Sequence, residues 1–214
     1  ARAVSLDTDN YINSWTRSRT YLPLANDFSG NLAPTWTNVT GGENLEYQVT
    51  VVSSQETSLA HGDTTIFIGG EEQEAGTANS LSFEAKSFDS SLDQSFSMGE
   101  LSFYNGSTFN QSDADSATLS IDLSLSEPTT LQQTITIPLA LVSTPNSDDS
   151  YDSADAINMS KQSFNLSQSI EGVNYRLRIE FGPAQDGGFG TGSSISAFEG
   201  AQVKAEIYGT FEAR

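Results

Sequence analysis

Apolar side chains recur at every second position along this chain, and no segment shows the three-to-four spacing of an amphipathic helix. The clearest run is Ala117, Leu119, Ile121, Leu123 and Leu125, interleaved with Thr118, Ser120, Asp122 and Ser124. Successive side chains of a strand point to opposite faces, so this period builds a sheet with one apolar side. Ile135, Ile137, Leu139 and Leu141 repeat the pattern, with Pro138 on the other face. Proline cannot donate to a ladder, which predicts an edge strand or a bulge there. Further runs are Val173, Tyr175, Leu177, Ile179 and Phe181, and then Val203, Ala205, Ile207 and Phe211. Gly209 interrupts the last one and predicts a bulge. Shorter strands are expected at 45–52, 64–68, 81–85, 101–103 and 164–166.

Turn signals separate these runs at Gly41-Gly42, Gly69-Gly70, Asn105-Gly106, Glu171-Gly172 and Asp186-Gly187-Gly188. Asn105-Gly106 predicts a type I′ hairpin, because both central positions then need positive φ. About nine strands with one apolar face each predict an all-β, two-sheet antiparallel β-sandwich, jelly-roll or Ig-like. The sandwich is expected over 41–214. Residues 1–40 place Tyr11, Ile12, Trp15, Tyr21, Leu22, Leu24 and Trp36 in a polar, turn-rich context. They read either as a capping strand with loops or as an arm that completes a neighbouring subunit's sheet. In the second case Tyr11, Ile12 and Trp15 are the subunit contacts of a homo-oligomer or filament.

Charge excludes several partners. The chain carries 28 Asp and Glu against 9 Lys and Arg, a net charge of −19. Nucleic acid and anionic membrane surfaces are both repelled. With no cysteine, disulfides, thiolate metal sites and thiol nucleophiles are absent. No stretch approaches the roughly 18 consecutive apolar residues of a membrane helix, so no membrane insertion is expected. The start at Ala1-Arg2-Ala3 fits processing of a longer precursor or a trimmed chain. Asn-x-Ser/Thr triplets at Asn38, Asn105, Asn110, Asn158 and Asn165 are what chance yields in a chain this rich in these residues.

The densest oxygen cluster is Asn146, Asp148, Asp149, Asp152 and Asp155 on one expected loop. Calcium takes six to eight oxygen ligands at about 2.3–2.6 Å, which such a loop with its carbonyls can supply. The EF-hand glycine and glutamate are missing, and the other reading is a solvated loop satisfying its own backbone. Asp113 and Asp115 could add to a similar site, whereas Glu71-Glu72-Gln73-Glu74 reads as a solvated loop. His61, beside Gly62-Asp63, reads as a surface turn residue, and no Gly-x-Ser-x-Gly elbow accompanies it. Carboxylate pairs are too common here to identify a glycosidase. No enzyme is expected. For a glycan, Trp15, Trp36 and Tyr208 are the candidate stacking rings, and a coplanar exposed pair would mark such a site.

Phe96-Ser97-Met98-Gly99-Glu100-Leu101-Ser102-Phe103-Tyr104-Asn105-Gly106 opens a series of segments, followed by the 117–125 strand with Pro128. Thr144-Pro145-Asn146-Ser147-Asp148, Ser153-Ala154-Asp155-Ala156-Ile157 and Gly172-Val173-Asn174-Tyr175 with Phe181-Gly182 come next. In this order, over roughly 60–212, they resemble the bacterial choice-of-anchor K domain. The chain departs from that pattern at Ile68-Gly69-Gly70, where Trp-Gly is usual, and in having no sorting tail after Arg214. The resemblance implies a secreted or surface home on a bacterium and transfers no catalytic residue. The combined expectation is a non-enzymatic extracellular structural or adhesive protein, with calcium as ligand and self-assembly through its N-terminal arm. The alternative is a carbohydrate-binding module that holds an extracellular polysaccharide.

Overall fold

The period-two runs become strands wherever they occur in the computed structural model, which describes residues 24–74, 76–109, 112–145, 147 and 149–214. No helix occurs among the described residues. In chain order the strands begin with β1 (Asp27–Gly41), β2 (Tyr47–Val51), β3 (Glu56–His61), β4 (Thr65–Ile68) and β5 (Glu71–Glu74). Next come β6 (Asn79–Ala85), β7 (Phe88–Ser91), β8 (Ser95–Tyr104), β9 (Ala114–Glu127) and β10 (Leu131–Val142). The last are β11 (Asp155–Met159), β12 (Ser163–Asn165), β13 (Tyr175–Phe181), β14 (Gly188–Thr191), β15 (Ser194–Ala197) and β16 (Gln202–Ala213).

Two seven-stranded antiparallel sheets result, ordered β14-β15-β11-β10-β9-β1-β7 and β12-β13-β16-β8-β6-β3-β2, with β4-β5 as a separate hairpin. The expected all-β, two-sheet architecture is present, but with sixteen strands among the described residues where the alternation predicts about nine. The additional ones are mostly short or polar: every residue of β5 is solvent-exposed, and β14 is Gly-Phe-Gly-Thr. Glu71-Glu72-Gln73-Glu74 is therefore a strand and not a loop. Gly69 and Gly70, both at positive φ, turn it back on β4.

Aromatic rings join the two sheets. Phe28 of β1 stacks on Phe211 of β16 at 4.3 Å and meets Tyr175 of β13 edge-on at 5.4 Å. Phe88 of β7 stacks on Phe96 of β8 at 4.5 Å, and Phe96 lies 5.4 Å from Phe211. Tyr175 faces inward as its parity predicts, and its hydroxyl accepts from the Ala25 amide at 2.7 Å.

The two backbone irregularities take different forms from those expected. Pro138 lies on an interior strand, but its carbonyl accepts from the Ser160 amide one residue beyond the end of β11. At that point β10 is locally an edge, so the missing donor is tolerated. The bulge near Gly209 is on the partner strand: Ile207 pairs with Gly99 and Tyr208 with Ser97, leaving Met98 of β8 as the extra residue. Gly209 serves packing instead, since a Cβ there would come 2.7 Å from the Phe96 ring.

β1, all but its last residue inside the 1–40 segment expected to cap or reach outward, is an interior strand between β7 and β9. Tyr11, Ile12 and Trp15 lie outside the described residues. Charge is divided between the sheets. No strand of the first sheet contains Lys or Arg, and its outer face is built of hydroxyl pairs such as Thr37–Ser120 at 2.9 Å and Thr40–Ser116 at 2.7 Å. The second sheet's outer face instead carries ion pairs: Lys204–Glu100 at 2.7 Å, Lys86–Glu206 at 2.6 Å and Arg176–Glu212 at 2.6 Å.

Candidate functional site

One end of the sandwich gathers the β8–β9 connection, the β10–β11 connection and the turn before β16 around an open cleft of about 620 Å³. Asn79, Asn105, Asp113, Asp115, Asp155 and Glu199 contribute its polar wall, together with Thr108 and Thr144. Among the described residues no Lys or Arg lines it.

Asn105 organises this end. The predicted hairpin does not form: Asn105 has 0% exposure, and neither it nor Gly106 adopts positive φ. The chain passes on from β8, which pairs with β6 and β16 and not with β9. Asn105 donates through Nδ2 to the Ala197 carbonyl at 3.1 Å and to that of Ser153 at 3.4 Å, tying β15 to the loop before β11. Its backbone bonds both ways with the turn before β16, through Ala201 and Gly200. Its Oδ1 is buried with no hydrogen-bond partner among the described residues. Buried amide oxygens are rarely left in that state. Gly106 follows because a Cβ there would collide with the Thr77 carbonyl oxygen. Gly106→Ala should therefore destabilise the fold by about 1–3 kcal/mol, as overpacking typically does, read as a lowered melting temperature.

The carboxylates are held differently. Asp113 is half-buried, which alone would raise its pKa. Hydrogen bonds outweigh that burial: Asn79 Nδ2 donates at 2.8 Å and Thr108 Oγ1 at 2.6 Å, while His61 Nδ1 stands 3.5 Å away. Asp113 thus lies below the ordinary carboxylate value. Asp155, at the first position of β11, is pushed up to about 6, mainly by burial. The Thr144 amide and hydroxyl, donating to its Oδ1 at 2.6 and 3.2 Å, oppose the rise, and the Asp113 and Glu199 charges add to it. Glu199 accepts from Ser107 Oγ at 2.7 Å.

His61 is a correction to the expected surface residue. It ends β3 on the same inward face as Thr57 and Leu59, is 3% exposed, and its Nδ1 accepts from the Ala114 amide at 3.2 Å. Its Nε2 is buried and has no hydrogen-bond partner among the described residues. Its parity with Leu59 carried the signal.

The loop predicted to hold calcium is divided. Asn146 and Asp148 lie outside the described residues. Asp149 turns its carboxylate to its own loop, accepting from the Tyr151 amide at 2.8 Å and the Asp152 amide at 3.4 Å, and Asp152 is exposed. Asp155 belongs instead to the cleft, with Asp113 and Asp115. Among the described residues no three Asp, Glu or His side chains are grouped to hold one metal ion. Of the predicted stacking rings, Trp15 lies outside the described residues, and Trp36 is 3% exposed in the core, with no face open to a sugar. Tyr208 faces outward but lies over Gly182, where a Cβ would come 2.7 Å from its ring.

No family model matches the chain, and no curated protein matches it in sequence. The cleft must therefore be read from its own chemistry. Among the described residues its wall is rich in hydrogen-bond acceptors and carries no Lys or Arg. Such a wall favours a ligand that brings donors, either hydroxyl groups or a cation, and disfavours any anion. Asn105 and His61 are the participants that alternation and turn chemistry misread. The crowding of carboxylates over 146–155 pointed to the loop, although of its described carboxylates only Asp155 lines the cleft.

Proposed function

We propose that this chain is a non-enzymatic, extracellular or cell-surface adhesive β-sandwich that holds its partner in the acidic cleft at the end of the two sheets. The observation that carries this reading is the convergence of Asp113, Asp115, Asp155 and Glu199 on one open cavity that no Lys or Arg lines among the described residues. A polyhydroxylated ligand satisfies these acceptors without charge repulsion, and concave sites with a few fixed polar groups are where such ligands bind. The acidic, cysteine-free composition and the ordered resemblance to choice-of-anchor K segments support a secreted bacterial setting. The chain crosses repeatedly between its sheets, which supports a jelly-roll arrangement over an Ig-like one.

Calcium retains a role in this proposal as an ion that screens the negative surface and lets copies or a matrix polymer approach. The test is a melting curve with light scattering, in millimolar calcium and in EDTA, with and without a panel of neutral oligosaccharides. An oligosaccharide at 100 times its dissociation constant adds about 2.7 kcal/mol. For a chain of this size that is a rise of roughly 5–10 °C. It should appear in EDTA and vanish in Asp155→Asn/Glu199→Gln. A rise in mass or melting with calcium alone would support ion-organised assembly instead. No response to either ligand would sink the cleft reading.

A further inference from the structure

Three rings form a surface cluster that neither alternation nor the cleft accounts for. Tyr151, Phe189 and Phe198 meet pairwise at 5.4, 5.1 and 5.6 Å, with Tyr151 67% and Phe189 39% exposed. Exposed rings of this size carry an apolar cost, and a grouped set of them marks a contact surface more often than a lone one does. The cluster adjoins the cleft through the chain itself. Phe198 immediately precedes Glu199 of the cleft wall, and Tyr151 lies on the loop whose Ser153 carbonyl accepts from Asn105.

We infer that this cluster is a sugar-stacking subsite continuous with the cleft, and that the ligand is a single polysaccharide chain without acidic groups. This deepens the cleft reading and rests on it. The apolar C–H face of a pyranose packs on an aromatic face while its hydroxyls reach nearby acceptors. Here those acceptors are the carboxylates of Glu199 and Asp155 in the cleft wall. The carboxylates exclude uronic acids and sulfated sugars by repulsion, whereas uncharged or amino sugars are admitted. Ring planes 42–84° apart do not make a flat platform. They suit a free, curved chain, not the planar surface of a crystalline polymer.

The test is gel retention of the whole protein in EDTA by three soluble polymers: a neutral glucan, deacetylated chitin and polygalacturonate. Retention is expected with either or both of the first two and not with the third. Tyr151→Ala and Phe189→Ala should each weaken it at least tenfold, and Tyr151→Phe should preserve it. Both alanine variants remove exposed side chains, so unchanged melting temperatures check that they fold. Retention that survives the ring variants but is lost in Asp155→Asn/Glu199→Gln overturns this inference and leaves the cleft reading standing. Retention indifferent to both sets overturns both. Lack of retention by the neutral and amino polymers overturns the stacking subsite, and the oligosaccharide melting test then decides the cleft on its own. Concentration-dependent self-association abolished by Tyr151→Ala would make the cluster a contact between copies and likewise overturn it.

Discussion

Phe211→Ala should lower the folding stability by about 3–5 kcal/mol, the range for emptying a buried Phe site. The ring is fully buried in β16, stacked on Phe28 and within 6 Å of both Phe88 and Phe96. It therefore contacts rings from both sheets, and its removal opens a void between them. Relaxation into that void is limited, because Phe96 is already confined against Gly209 and Phe28 against Tyr175. Urea titration should show a lower midpoint with an unchanged slope, and the melting temperature should fall by roughly 6–20 °C. A loss below about 1 kcal/mol would mean that the aromatic junction does not hold the sheets together.

The second large effect concerns pH. The Asp155 carboxyl is raised from 3.8 to about 6 in the folded state. Below the ordinary value, both folded and unfolded chains hold the proton and burial carries no electrostatic penalty. As pH rises through the window from about 4 to about 6, the unfolded chain gives up the proton first, and stability falls. The full difference is at most about 3 kcal/mol, at 1.36 kcal/mol per unit. Asp113 acts with the opposite sign: its lowered value stabilises above the ordinary carboxylate pKa and is lost below it. Asp155→Asn keeps an oxygen to accept from Thr144 and removes the titration. The variant should gain on the parent protein between pH 4 and pH 7, and denaturation at the two pH values measures that gain. Parallel pH profiles for the two proteins would rule out a buried, titrating Asp155.

Where the sequence was legible, hydrophobic alternation explains why. β9, β10, β13 and β16 carry apolar residues at every second position, and each of these runs forms a strand, although Pro138 and Gly209 play other parts than those expected and β13 begins only at Tyr175. β1 was missed as an interior strand because its inward positions include Gly30 and Pro34, which carry no hydrophobic signal although both are buried. The site was less legible for a related reason. Asn105-Gly106 is locally an ideal turn, but long-range bonds to Ala197 and Ser153 and the close approach of Thr77 override that preference. Asp155 was distinguishable from Asp149 and Asp152 only by its place at the start of an inward-facing strand. The ring cluster joins residues far apart in the chain, so no local pattern announces it.

The concentration of basic residues away from the first sheet has a consequence for proteolysis. Between Lys86 and Lys161 the chain has no Lys or Arg, and between Arg19 and Lys86 it again has none. A protease that cuts only after basic residues therefore has no cleavage point within β1–β6, nor within β7–β11, even when the chain is fully unfolded. Secreted enzymes of that specificity would leave most of the sandwich in two long pieces. Opening of the first sheet becomes visible only to proteases that cut at apolar or acidic side chains.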